Sequence, residues 1–431
     1  MIEYNMIYIS AQPDNTYFHW QVELYLWQFS KHGIIDQCYA LLGYRDQPSS
    51  YGLKLADMYK GRVLLYKDSR TDLAYIPSIR PHLLSQFFKE YPHLGQVIFY
   101  HDSDIFLVKL PPFDEILQRN NEKNIGYVSD TISYIGCNYI DECYRKYKAK
   151  YNTCPNLLTE MCNLVGIDCN VVRSRNANSG GAQYLLKNID YKFWDQAEIL
   201  CNKMYTFLQD YDKKYKIDHG IQIWTTDMWI VLWLYWKDIG NTLVIPELEF
   251  SWATSSVSDY HAKNIFHLAG ITAEMSHNTF YKSTYCNVNV FDEYRRNKKM
   301  FDHVDKNNAT YEYTNAIKEY CGDITIEYEQ LFFLYYETDN NINVSNIFQI
   351  DNTKTCFDKP VWKSLNGKYI IFSNKKQWVL TYSVYISEIS EDCYGGVLFN
   401  DNLLPYTDQW NAENVKCMVI NDKTMKNINK I

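Results

Sequence analysis

Gln96-Val97-Ile98-Phe99-Tyr100-His101-Asp102-Ser103-Asp104 sets the fold class of this chain. An unbroken apolar and aromatic run bounded by polar residues is the pattern of a strand buried on both faces, where a half-exposed strand would alternate. The run stops at an acidic triplet, so two carboxylates one residue apart stand at the end of a buried strand. Upstream, a first run at Met6-Ile7-Tyr8-Ile9-Ser10 turns at Gln12-Pro13-Asp14 into a helical pattern over 17–31 that ends near Gly33. Further apolar runs over 37–42 and 62–66 follow with helical spacing between them, and a helix over 77–91 leads into the decisive strand. Strands alternating with helices in this way predict an α/β fold: a mostly parallel sheet flanked by helices, with ligands gathering beyond the carboxyl ends of its strands.

Downstream the pattern is less regular. A strand at 126–129 is followed by a Tyr-, Cys- and Asn-rich stretch over 130–168, expected as a helical insertion over the sheet edge. Asn178-Ser179-Gly180-Gly181-Ala182-Gln183 is expected to open a run of helices to about 215. A helix over 225–237 and a strand at 243–246 precede a loop to Ile265-Phe266-His267. The charged stretch 291–324, with Arg295-Arg296-Asn297-Lys298-Lys299, reads as a helical linker with a solvated face. From 325 to 431 short alternating runs separated by Asn-rich turns predict a small antiparallel β module, with a hairpin at Asn366-Gly367. Its Trp362, Trp378 and Trp410 either fill a small core or offer rings to a glycan. The expected division is 1–290, 291–324 and 325–431.

Of the 431 residues, 22% are charged and 46% hydrophobic, which excludes a mostly disordered chain. The formal charge of −8 argues against a nucleic-acid backbone as the main partner. The 39 tyrosines suit hydroxyl-rich sites, although codon usage in an AT-rich genome also enriches Tyr, Asn, Lys and Ile. The 12 cysteines contain no Cys-x-x-Cys pair and are expected as reduced thiols. The most apolar window, 221–235, is shorter than the ~20 residues of a spanning helix, and the amino-terminal residues lack the pattern of a signal peptide. A cytoplasmic protein without a membrane span is the expectation.

Asp102 and Asp104 can face one hard cation, and that cation can neutralise a diphosphate. Taken singly, an Asp-x-Asp is as readily a turn or a helix cap. Three segments in order nevertheless resemble the metal-dependent nucleotide-sugar glycosyltransferases of the GT-A fold: Asp102-Ser103-Asp104, Asn178-Ser179-Gly180-Gly181, and His267-Leu268-Ala269-Gly270. The resemblance covers about residues 1–285. It implies Asp104 and His267 as metal ligands, with Asp102 a ligand or ribose contact, for manganese or magnesium. It also implies a UDP-sugar donor, with Asn178, Gly180, Gly181 and Gln183 at the sugar and Lys282 at a phosphate. Gln12 and Asp14 would meet the nucleobase and Arg80 the donor. Asp227, in the first turn of an apolar helix, either complements the helix dipole or, as the resemblance implies, sits near the acceptor hydroxyl, with Trp224 and Trp229 flanking a sugar. The implied reaction is sugar transfer to a glycan, glycoprotein or peptide, leaning to retention of anomeric configuration.

Two other enzyme classes fit less well. A dehalogenase-type phosphatase would carry Thr or Val where Phe106 stands, and a sugar-nucleotide pyrophosphorylase needs a Gly-rich basic loop where Ser10-Ala11-Gln12-Pro13-Asp14 stands. An inactive relative acting as a sugar-binding or scaffold protein is the non-enzyme alternative.

Overall fold

The computed structural model describes residues 6–119 and 124–322 and, beyond them, the backbone of seven strands between 330 and 419. The chain divides into two compact units, Met1–Ile317 and Lys318–Ile431.

The first unit begins with β1 (Met6–Pro13), α1 (Thr16–Ser30), β2 (Cys38–Tyr44), α2 (Ser50–Met58), β3 (Val63–Lys67), α3 (Ile79–Glu90) and β4 (Val97–His101). It continues through β5 (Ile105–Leu107), α4 (Phe113–Gln118), β6 (Ile125–Asp130), α5 (Ile132–Ile135), α6 (Cys137–Lys150), α7 (Leu157–Val165) and α8 (Cys169–Ser174). Then come β7 (Gly180–Lys187), α9 (Tyr191–Lys214), α10 (Thr226–Asp238), β8 (Asn241–Val244), β9 (Phe250–Trp252), α11 (Val257–Ala262), β10 (Ile265–His267), α12 (Val290–Arg296) and α13 (Thr310–Tyr320).

Seven of these strands form one sheet in the order β3-β2-β1-β4-β7-β6-β8. All neighbours pair in parallel except β7, which runs antiparallel to both β4 and β6. Both faces are covered, as the unbroken apolar runs require. Ile7, Ile9, Ile98 and Tyr100 point into the core beneath α3, α9 and α10, while Tyr8, Val97 and Phe99 point into the core beneath α1 and α4. The strand order reverses between β1 and β4, and a crevice forms at such a switch point beyond the carboxyl ends of the strands. Asp102 is the first residue beyond β4.

Several stretches differ from the sequence expectation. Residues 180–187 are a fully buried strand rather than a helix start, because Gly180 packs against β6 too tightly for any side chain: a Cβ there would lie 2.3 Å from the Ser129 carbonyl oxygen. The stretch before His267 is a second, three-stranded sheet in the order β5-β10-β9. Three-residue strands carry too little periodicity to stand out in sequence. Residues 291–317, expected within a linker, pack into the first unit through Phe291, Tyr294, Phe301, Tyr313 and Ile317, all at most 4% exposed. The stretch 130–168 is likewise part of the main core, through Ile135, Ile140, Tyr147, Leu157 and Met161.

The second unit is an antiparallel sheet of β11 (Gln330–Glu337), β12 (Ile342–Cys356), β13 (Lys359–Ser364), β14 (Tyr369–Ser373), β15 (Gln377–Tyr382), β16 (Val397–Asn400) and β17 (Val415–Val419). Their order is β16-β15-β14-β13-β12-β11-β17. β13 and β14 pair with Trp362 opposite Ile371. The Asn366-Gly367 turn, Trp410 and the side chains of Trp362 and Trp378 lie outside the described residues.

Candidate functional site

β4 carries Asp102 to the sheet's carboxyl edge, and the chain turns through Ser103 and Asp104 into β5. Antiparallel pairing of β5 with β10 then sets His267 opposite Ile105, and Leu268 N donates to the Asp104 carbonyl at 2.9 Å. Residues far apart in sequence meet through that short ladder. His267 Nε2 lies 3.3 Å from Asp104 Oδ1 and 3.5 Å from Asp102 Oδ2, and one ligand atom from each of the three falls within 4.8 Å of the others. The imidazole is braced by Trp252, stacked at 12°, and by Phe250.

Two cations flank the carboxylates. Lys282, on the turn Lys282–Tyr285, pairs with Asp104 Oδ2. Burial alone would raise the Asp104 pKa, but Lys282 and His267 outweigh it and hold the carboxyl well below the usual carboxylate range. Arg80, in the first turn of α3, bridges two acids: Nη2 to Asp102 Oδ1 at 3.0 Å and Nη1 to Asp227 Oδ2 at 2.9 Å. The loop that delivers Arg80 is pinned by the buried Arg70, which donates to Tyr75 O, Ile76 O and Ser78 Oγ and pairs with Asp68.

These groups line a cavity of about 310 Å3, with Tyr17, Gln21, Tyr134, Ala182, Trp224 and Trp252 among its other walls. Trp224 is 64% exposed at this wall, and its carbonyl oxygen lies 2.8 Å from Tyr75 OH. Trp229, by contrast, is fully buried with its Nε1 donating to Ile135 O, so it does not flank a ligand. Ala182 carries no signal in the sequence, yet it lines the cavity with a left-handed backbone (φ 66°), a strained conformation for a non-glycine residue of the kind that clusters at functional sites.

Other expected site residues lie outside the cavity wall. Asp227 is 6% exposed, and both its oxygens are occupied, by Tyr75 OH at 2.8 Å and by Arg80. Burial raises its pKa more than Arg80 and Tyr75 lower it. Gln183 is 0% exposed and contacts Ser129 and His267 Nδ1. Period-two alternation along β7 sends it to the face of Leu185, away from Ala182 and Tyr184. Asn178 is half-buried, its carbonyl accepting from Thr242 Oγ1. A Cβ on Gly180 would meet β6, and one on Gly181 would meet Tyr184 and Met228. Asp14 is consumed by Ser49, whose N and Oγ donate to it at 2.7 Å, and by His19. Those contacts tie the end of β1 to the start of α2. Gln12 is 2% exposed at the end of β1, with Nε2 lacking a hydrogen-bond partner.

No family model matches the sequence, and no curated protein matches it. Among solved structures it is similar to the apo bifunctional glycosyltransferase WbbM, at 10% identity and TM-score 0.34 over 62% of this chain; the match spans under half (46%) of WbbM. It is also similar to the galactosyltransferase LgtC in complex with donor and acceptor sugar analogues, at 11% identity and TM-score 0.31 over 68% of this chain and 99% of that one. A third likeness is mouse xyloside xylosyltransferase 1 in its apo form, at 10% identity and TM-score 0.28 over 61% and 97%. Likenesses this distant carry no functional argument; the residues of the site do. No helix among the described residues is long and apolar enough to cross a membrane.

Proposed function

We propose that this chain is a metal-dependent glycosyltransferase that moves a sugar from a nucleotide-sugar donor, a UDP-sugar in the first instance, to a hydroxyl of a glycan, glycoprotein or peptide. The observation that carries the reading is the convergence of Asp102, Asp104 and His267 within 4.8 Å at the carboxyl edge of the sheet, in a cavity also lined by Arg80 and Lys282.

The donor set fits a divalent cation. Two carboxylates and one imidazole give the mixed oxygen and nitrogen shell that manganese takes and magnesium tolerates. Asp104, 5% exposed, already has the ammonium of Lys282 against it, which marks this position as one that requires a positive charge. When bound, the ion would neutralise charge on the diphosphate leaving group. Asp102, Asp104 and His267 would hold it, and Lys282, released from Asp104, can turn to a phosphate oxygen. Arg80, anchored by Asp227, keeps Asp102 oriented and offers positive charge at the same wall. Asp227 therefore acts here as a positioning residue, through Arg80. With no free carboxylate among the described residues of the cavity wall beyond the ion-binding pair, the acceptor proton goes to the donor's own phosphate, which favours retention. Ala182 and Trp224 form the wall on which a sugar would rest.

The test is incubation with a panel of UDP- and GDP-sugars, following nucleotide release and the anomer formed. Release that needs Mn2+ and stops in chelator is expected. Donor binding without turnover, for every sugar tried, would favour the scaffold alternative.

A further inference from the structure

The carboxamide of Gln183 sits between two groups, 2.8 Å from Ser129 Oγ and 3.3 Å from His267 Nδ1. Ser129 Oγ is in turn 2.7 Å from the Leu248 carbonyl oxygen. A hydroxyl has one proton to donate. With the Gln183 oxygen toward Ser129, that proton faces two acceptors, and one of the two short contacts holds no hydrogen. Turning the carboxamide over removes the conflict. Ser129 then donates to Leu248 O, Gln183 Nε2 donates to Ser129 Oγ, and His267 Nδ1–H donates to Gln183 Oε1.

That arrangement has a consequence for the opposite side of the imidazole. A neutral ring with its proton on Nδ1 has its lone pair on Nε2, the atom that faces Asp104 and Asp102. The other tautomer would aim an N–H at the same point and have nothing to give a cation. We propose that Gln183 is a positioning residue that holds the proton of His267 on Nδ1 and so presents Nε2 as a ligand between Asp102 and Asp104. The chain of bonds joins β6, β7 and β10, so the ligand is oriented by the main sheet rather than by the short strand that carries it. Gln183 is buried for this reason, not to meet a sugar hydroxyl. The use of the lone pair rests on the metal reading of the site; the tautomer does not.

Nitrogen-15 spectra of protein labelled at histidine, assigned with His267→Gln and followed upward in pH until the ring carries a single proton, test the tautomer in metal-free protein. A proton on Nδ1 of His267 is expected, and a bare Nδ1 with the proton on Nε2 overturns the proposal whatever the metal site does. Mn2+ binding in the presence of UDP, read from the electron paramagnetic resonance of the free ion, tests the consequence. Gln183→Leu, which cannot accept from Nδ1–H, is expected to weaken Mn2+ binding about 10- to 100-fold, the usual effect of losing an outer-shell partner. Gln183→Glu keeps an acceptor and is expected to stay near the unaltered protein. A folded Gln183→Leu protein that binds Mn2+ as tightly as the unaltered chain overturns the proposal. Should Gln183→Leu not fold, Ser129→Ala, which frees the carboxamide to turn, takes its place with the same expected direction. If the unaltered protein binds no Mn2+, the metal reading fails and the nitrogen-15 spectrum alone decides the tautomer.

Discussion

Replacing Asp227 with asparagine keeps the shape of the side chain and removes its charge, and the structure sets what each loss is worth. The carboxylate accepts from Tyr75 OH at 2.8 Å and from Arg80 Nη1 at 2.9 Å. An asparagine can serve both neighbours: its oxygen accepts from Arg80, and its amide donates to the Tyr75 oxygen while Tyr75 OH donates to Trp224 O. No partner is orphaned. The charge itself is a poor stabiliser here, because burial raises the Asp227 pKa more than Arg80 and Tyr75 lower it, so the folded chain disfavours the ionised form relative to water. Asp227→Asn should therefore change stability by no more than about 1 kcal/mol, the worth of one ordinary hydrogen bond. Asp227→Ala removes both contacts, but Arg80 keeps Asp102 and Tyr75 OH keeps the Trp224 carbonyl, so it should cost about 1–3 kcal/mol.

Activity discriminates further. If Asp227 only steadies Arg80, a misplacement worth about 1 kcal/mol lowers kcat roughly fivefold. If it takes the acceptor proton, its loss costs ~10²–10⁴-fold in transfer. The assay is nucleotide release with and without acceptor, beside a thermal melt of the same preparation. A loss of transfer above about 100-fold, with unchanged melting and intact donor hydrolysis, would refute the positioning role and make Asp227 the base.

Chelation should abolish turnover and manganese should restore it, and Asp104→Ala should lose donor binding, as read by calorimetry with UDP and Mn2+. Gly180→Ala should lower the melting temperature whether or not donor is present, because its Cβ would meet the Ser129 carbonyl at 2.3 Å; a loss of donor affinity at unchanged stability would assign the glycine to the ligand instead. The folded Asp104 carboxyl lies below its ordinary pKa, so the stabilisation from its partners is complete above the unfolded value of about 3.9 and is lost as pH falls below it. Metal-free protein should lose melting temperature on acidification below about pH 4, and Lys282→Met, which brings the folded pKa of Asp104 closer to its unfolded value, should make that acid-dependent loss smaller. A chain ended at Gly322 retains every residue of the site and should keep metal-dependent donor hydrolysis, measured as nucleotide release.

Much of the sheet was legible because its central strands β1 and β4 are buried on both faces and write themselves as continuous apolar runs. β7 was not, since its first residues are Gly-Gly-Ala-Gln, whose glycines reflect contact with β6, a partner distant in sequence. Asp102, Asp104 and His267 were legible as residue types at a strand end, and their convergence depended on the β5 and β10 pairing, whose three-residue strands leave almost no trace. Gln183 and Asp227 stand out in the sequence as polar residues in apolar surroundings, but alternation along β7 and the reach of Arg80, which direct each toward another residue rather than toward the cavity, leave no trace in it. Ala182 carried no signal, because a left-handed backbone at alanine is set by its surroundings.

The charges at the cavity explain why these partners are arranged as they are. Three carboxylates, Asp102, Asp104 and Asp227, face two permanent cations, Arg80 and Lys282, with His267 between them. The set is one positive charge short, and a buried deficit of that kind is costly unless a cation fills it. Asp104 takes Lys282 and Asp102 takes Arg80, but Asp227 draws on the same guanidinium, so Asp102 is the acid left with the weaker claim and the greater side-chain exposure, 20% against 7% for the Asp104 side chain. A divalent ion at the three ligand atoms would turn the deficit of one into an excess of one, which suits an anionic diphosphate. On the metal reading, anchoring Arg80 by Asp227 would keep the guanidinium from neutralising Asp102 fully and closing the site to an ion. Removing the charge of Asp227 should for that reason weaken Mn2+ binding, as Arg80 turns wholly to Asp102.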